Sequence, residues 1–196
     1  MLRRFACAAA VAAPLVLGAW MPSTGLASTG ATVAPSSPLA SMAGRCHGAS
    51  QAPGDASPQK ARTAMLCLVN RFRRAHGRRA LRINRQLTRA AQAYSARMAG
   101  DRFFSHTAPN GGTMVDRLRQ VGYASPSTSW TVGENLGWGT DTSAAPVVIV
   151  DAWLRSPGHR ANLLSRRYRE AGVGVAQPTP QGRTGATYAL EFGARG

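Results

Sequence analysis

Lysine is almost missing from this chain. Lys60 is the only one among 24 basic residues, so the positive charge is carried by arginine. Acidic residues are scarce too, eight in 196 positions, which sets the formal net charge at +16. Guanidinium groups keep their charge at any relevant pH and bind phosphates and carboxylates bidentately, so anionic polymers or membrane surfaces suit this composition. Scattered charge that serves only solubility is the plainer reading. Catalytic signatures are also absent. No G-x-S-x-G elbow exposes a strained serine, so Ser105 beside His106 and Ser156 near His159 do not read as nucleophile pairs. No Walker loop or dinucleotide fingerprint occurs, and Gly111-Gly112 is an isolated turn. Cysteine is limited to three residues, and after the first 27 residues no apolar run reaches membrane length.

What is present begins with an export pattern. Arg3 and Arg4 precede an apolar run from Phe5 to Trp20, and Gly25 and Ala27 precede a cut before Ser28. Residues 1–27 are therefore expected to be a signal peptide, and the mature chain to be secreted, without a transmembrane segment and monomeric. Cys7 leaves with the leader, so Cys46 and Cys67 remain as an even pair in an oxidising compartment and are expected to form one disulfide, worth about 2 to 4 kcal/mol. Cys46, His47 and Cys67 supply too few ligands for a metal site.

Residues 28–57 are rich in Ser, Ala, Pro, Gly and Thr, a composition expected to form a disordered linker, which places the folded domain at 58–196. Ser57 and Pro58 suit a helix start, after which Ala61, Met65, Leu68, Phe72 and Ala75 recur at three- and four-residue steps up to Gly77. Asn84 is expected to cap a second helix ending at Gly100, and Thr113 to Val121 reads as a short third. Trp130 to Gly139 reads as an extended segment. Ser143 is expected to cap a fourth helix that runs to Arg155 and stops at Ser156-Pro157-Gly158. Ala171 to Ala176 and Thr187 to Phe192 read as closing strands, so the sequence predicts an α+β layered domain.

Four motifs then stand in order: Phe104-Ser105-His106, Gly133-Glu134-Asn135, Ser156-Pro157-Gly158-His159-Arg160 and Gly172-Val173-Gly174-Val175. Their order and spacing resemble the bacterial branch of the CAP superfamily over roughly residues 61 to 193. The resemblance implies a three-layer α/β/α sandwich of the PR-1-like type, with His106 and His159 facing one another across a cleft beside Glu134. Two neutral imidazoles can ligate zinc or another divalent metal, and a carboxylate can complete the shell or orient a bound water. Many eukaryotic relatives carry a second cleft glutamate shortly after the tryptophan of the fourth helix. Here Trp153 is followed by Leu154, Arg155 and Ser156, so that acid is missing, and Glu170 does not take its place. Asn135 is expected to satisfy backbone groups and Arg160 to brace the same loop. Histidines at helix ends also serve as structural donors, and Glu134 can cap backbone amides. Trp130, Trp138 and Trp153 read as core or cleft wall.

Three functions follow as expectations. The first is a secreted binding module for a lipid, a glycan or an envelope component, as the resemblance implies for some relatives. The second is a divalent-metal-dependent hydrolase, a peptidase or nuclease, with His106 and His159 holding the ion and Glu134 activating water. The third is a charge-driven protein that docks on anionic polymers without the cleft, with binding that falls steeply with salt. Sequence-specific nucleic-acid recognition is not expected, since no recognition motif appears.

Overall fold

The computed structural model describes residues 38–54 and 57–196, so the leader expected over residues 1–27 lies outside the described residues. In chain order the elements are α1 (Pro38–Ala43), α2 (Pro58–Ala75), β1 (Arg82–Ile83), α3 (Arg85–Gly100), α4 (Met114–Gln120), β2 (Trp130–Thr140), a 3-10 turn (Asp141–Ala144), α5 (Pro146–Arg155), α6 (Pro157–Leu164), β3 (Glu170–Ala176) and β4 (Gly185–Arg195). The strands form one sheet in the order β1-β3-β4-β2. β1 is parallel to β3 and the other pairs are antiparallel, which leaves β2 on an edge.

Strand alternation divides the sheet between two helical layers. Val173 and Val175 of β3, with Tyr188, Leu190 and Phe192 of β4, face α2, α5 and α6 in the larger core. On the other face Ala189 of β4 meets Ala91, Tyr94 and Met98 of α3. This is an α/β/α sandwich. The glycines of the Gly172-Val173-Gly174 motif explain how closely α3 lies on the sheet. A Cβ at Gly172 or Gly174 would fall 2.1 Å from the α3 backbone at Leu87 or Ala91, so no side chain fits at either position.

The helix starts are set by their caps. Ser57 accepts from the Lys60 amide at 3.3 Å, and Asn84 accepts from the amides of Gln86 and Leu87. Thr113 and Asp116 form a reciprocal capping box on α4. Two expectations differ from the structure. Ser143 does not cap the fourth helix, because its Oγ is bonded to the Thr140 backbone in the 3-10 turn and Pro146 opens α5 instead. Pro157 follows the end of α5 and also begins a new helix, α6, since proline suits a first helical turn.

Part of the stretch expected to be linker is folded. Leu39 of α1, with Cys46 and Ala49 after it, is buried in the larger core, and the Val147 amide donates to the Ala49 carbonyl at 2.9 Å. The expected disulfide joins Cys46 to Cys67 of α2, with Cα atoms 5.7 Å apart. A covalent tie and a few apolar anchors order a segment that its composition alone would leave unfolded.

Candidate functional site

The site lies along the outer edge of β2, which pairs with β4 on its other side. The loop after α3 brings His106 to it from one side and α6 brings His159 from the other. His106 belongs to a charged cluster. Its Nδ1 lies 2.7 Å from Oε1 of Glu134, whose side chain is only 3% exposed, and Arg117 of α4 donates to Oε2 of the same carboxylate at 2.6 Å. Arg117 also donates to the His106 carbonyl at 3.2 Å and lies over the ring of Tyr94, 3.3 Å from its centroid. Tyr94 in turn donates its hydroxyl to the Ser105 carbonyl at 2.6 Å. One guanidinium and one phenol therefore hold both the loop and the carboxylate that His106 touches.

Beneath this cluster is a second acid that the sequence reading did not include. Glu191 of β4 is paired in register with Glu134 of β2 and is fully buried. Burial, followed by the charge of Glu134, pushes its carboxyl well above the ordinary 4.5. Neither of its oxygens finds a donor among the described residues. The raised pKa beside Glu134 favours the protonated form of this carboxyl. A signal existed in the sequence, since Glu191 stands in an otherwise apolar strand, Tyr188 to Phe192. Arg117 had no comparable signal, because it is one arginine among many on an amphipathic helix.

The surroundings of His159 are different. Its Nδ1 is hydrogen-bonded to Ser156 Oγ at 2.8 Å, and its ring lies 6.4 Å from that of Trp153. Burial, and then the nearby His106, hold its pKa below the ordinary 6.5, so the imidazole is neutral at neutral pH. The Ser156 hydrogen bond has serine–histidine form, but the carboxylate that would orient such a base is bound to the other histidine. Beside His159 a groove of about 270 Å³ runs between β2 and α5. Phe104, Leu136, Trp138, Ile149 and Trp153 form its apolar wall, and Phe104 and Trp138 are among the exposed large hydrophobic side chains. Gly137 keeps the floor low, since a Cβ there would come within 3.0 Å of Ile149 Cγ2.

Asn135 is fully buried, donates to the His159 carbonyl at 3.1 Å and accepts from Asn162 at 2.9 Å. Asn162 also donates to the Glu134 carbonyl, so the two amides fasten α6 to β2. Arg160 stands exposed on α6. Trp153 donates its indole N–H to the Leu136 carbonyl at 2.7 Å. Among the described residues no group of three or more His, Cys, Asp and Glu is arranged to hold a metal ion. With both oxygens of Glu134 engaged, a divalent ion would be offered the two Nε2 atoms and no carboxylate.

Comparison with known proteins places the fold. The family model for the cysteine-rich secretory protein family, CAP, matches residues 66–190. The uncharacterized protein YkwD of Bacillus subtilis (strain 168) is 33% identical over 110 residues, which is 56% of this chain and 40% of that protein. The uncharacterized membrane protein YlbC of the same strain is 34% identical over 112 residues, 57% of this chain and 30% of its own length. The chain thus matches well under half the length of either relative. Among solved structures, an extracellular protein containing a SCP domain from Bacillus anthracis str. Ames superposes with TM-score 0.55 at 28% identity, over 69% of this chain and 43% of that one. An outer surface protein from Borrelia burgdorferi superposes with TM-score 0.56 at 22% identity, over 67% of this chain and 90% of that one.

Proposed function

The chain belongs to the CAP (cysteine-rich secretory protein) family, and from that premise we propose that it is a secreted binding module that takes a lipid, a glycan or another envelope component in the groove beside β2. The observation that carries this reading is the groove's lining. Its wall is aromatic and aliphatic, and the one ionisable side chain in it, His159, is held neutral. Such a surface accepts an uncharged ligand with an apolar face, either a hydrocarbon chain or a sugar ring laid on Trp138. The charged cluster around His106 supports the same reading, because a carboxylate whose charge is balanced by a guanidinium and that is bonded to an imidazole is a weakened base toward water. Export is supported by the leader pattern and by the extracellular and outer-surface proteins that share the fold. Among the described residues no helix is long and apolar enough to cross a membrane.

The test is a calorimetric titration of the whole chain with lipid micelles and with soluble envelope glycan fragments, comparing wild type with Trp138→Ala. Saturable binding that weakens about tenfold in the variant, roughly 1.4 kcal/mol, is expected. Absence of binding to both ligands, or equal affinity in the two proteins, would remove the groove from the function.

The metal-dependent hydrolase is the second reading, favoured by one observation. Both histidines are tied back through Nδ1, which is how metal-binding imidazoles are commonly oriented. Two protein ligands are fewer than the three usual in catalytic zinc sites. One-to-one Zn²⁺ binding that disappears in a His106→Ala, His159→Ala double variant would bring this reading forward.

A further inference from the structure

Away from the cleft, the C-terminal end of α2 and the loop between α6 and β3 border a second, open cavity of about 270 Å³. It is lined by Arg73, Gly77, Arg78, Arg79, Arg166 and Arg169, five guanidinium groups without a carboxylate. We propose that this cavity is a binding site for the phosphodiester groups of a soluble anionic polymer, separate from the groove beside β2.

Like charges gathered in one place repel one another, and the effect is visible in Arg73. Its side chain is 1% exposed, and its pKa is lowered first by burial and then by Arg169 and Arg78. Part of the cluster has structural work. Arg73 donates to the carbonyls of Arg79, Leu163 and Ser165, and Arg78 donates to that of Leu164 at 2.9 Å, so both cover carbonyls at the end of α6. Arg169 donates to the carbonyls of Arg166 and Tyr168. Such carbonyls solvate a cation without neutralising it. Arg79 and Arg166 line the same cavity, and among the described residues their side chains form no hydrogen bond or ion pair. A buried arginine that meets carbonyls but no acid, ringed by four more, is further stabilised by an anion that neutralises the cluster, and guanidinium groups are suited to phosphate oxygens.

A polymer in solution is favoured over a membrane surface by what surrounds the cavity. Among the described residues the exposed large hydrophobic side chains are Ile83, Phe104 and Trp138, and none of them lines it. A membrane-docking face would be expected to place apolar side chains beside its cations.

The experiment titrates the whole chain with inorganic phosphate, with poly(glycerol phosphate) chains and with phosphatidylglycerol vesicles, over a range of salt. Arg79→Gln with Arg166→Gln removes two charges from the cavity and leaves the carbonyl-bonded arginines in place. Arg85→Gln with Arg89→Gln removes two charges from the exposed side of α3 as a control. The expected result is saturable binding of the polymer, weakened at least tenfold and with a shallower salt dependence in the cavity variant, but changed less than twofold in the control. Inorganic phosphate should compete, and Trp138→Ala should leave polymer binding unchanged. Equal losses in the two double variants would assign the affinity to diffuse charge. Binding to vesicles alone, or no saturable binding to the polymer, would also overturn the proposal.

Discussion

The two sides of the cleft are built on different principles. On the His106 side, Arg117, Glu134 and Tyr94 hold the loop and one another through charge, hydrogen bonds and a cation–π contact, and Glu191 lies buried beside Glu134, both acids almost wholly removed from water. On the His159 side a serine hydroxyl and an indole neighbour the imidazole, and the wall beside it is apolar. A charged cluster with its members mutually engaged resists change, because moving one member exposes the others to a low dielectric without partners. An apolar groove gives up only water when something enters it. On the proposed function, the difference would leave the His106 side as framework and bring His159 to the ligand.

The most forceful way to break this contrast is to remove the guanidinium. Arg117→Met keeps an aliphatic group over Tyr94 and deletes the charge, leaving Glu134 and Glu191 buried together with only His106 to face them. Breaking a buried ion pair by removing one partner costs about 3 to 5 kcal/mol. Urea denaturation at neutral pH should show that loss. A change below about 1 kcal/mol would mean that the cluster is solvated in solution and that the two sides are less different than their geometry indicates.

Glu191→Gln sharpens the comparison in the opposite direction. An amide has nearly the shape of the protonated acid and carries no charge. The folded-state pKa of Glu191 lies above its ordinary 4.5, so between those values the folded protein holds a proton that the unfolded chain has released. Its stability contribution is therefore complete below the ordinary value and is lost as pH rises through this window. The variant is free of that loss. Its advantage over wild type should be near zero at pH 4 and should grow by about 1.4 kcal/mol per pH unit above 4.5 until the folded-state value is reached. Denaturation curves at three pH values decide it, and a pH-independent difference would show that Glu191 is ionised in the fold.

The asymmetry of the cleft also follows what could be read from the sequence. The caps at Ser57 and Asn84, the short helix beginning at Thr113, the Gly172 and Gly174 strand and the helical spacing of α2 and α3 were legible because each depends on neighbours in the chain. His106, Glu134 and His159 were legible through motif order. Arg117 was not, since it acts across to a different element, and Glu191 was marked only as an acid in an apolar strand, its partner Glu134 being set by strand register, a long-range property. The ordering of residues 38–54 was hidden for a related reason. Its anchors, Leu39, Cys46 and Ala49, are few and act on distant helices, so local composition outweighed them. Three glutamates occur in the chain, and each lies in a strand against other polar groups: Glu134 bonded to His106 and Arg117, Glu191 paired in register with Glu134, and Glu170 bonded by Asn84 and Tyr123. In a chain this poor in acids, each glutamate that falls in an apolar strand is a marker of a long-range polar contact.

The smallest expected effect belongs to His159, and it tests the quiet side of the cleft. Its folded-state pKa lies below 6.5, so between the two values the unfolded chain binds a proton that the fold refuses. Stability from this group is complete above 6.5 and is lost as pH falls toward the folded-state value. His159→Gln retains a side chain that can bond to Ser156 but has no proton to gain, so the wild type should lose stability relative to it only on the acid side. Solvent screening of a partly exposed group limits the difference to a few tenths of a kcal/mol. Ligand affinity should follow the same curve more steeply, because protonation places a full charge at the end of an apolar groove while leaving most of the fold untouched. Binding that stayed constant as His159 titrated would move the ligand away from that end of the groove, and binding that strengthened on protonation would call for an anionic ligand.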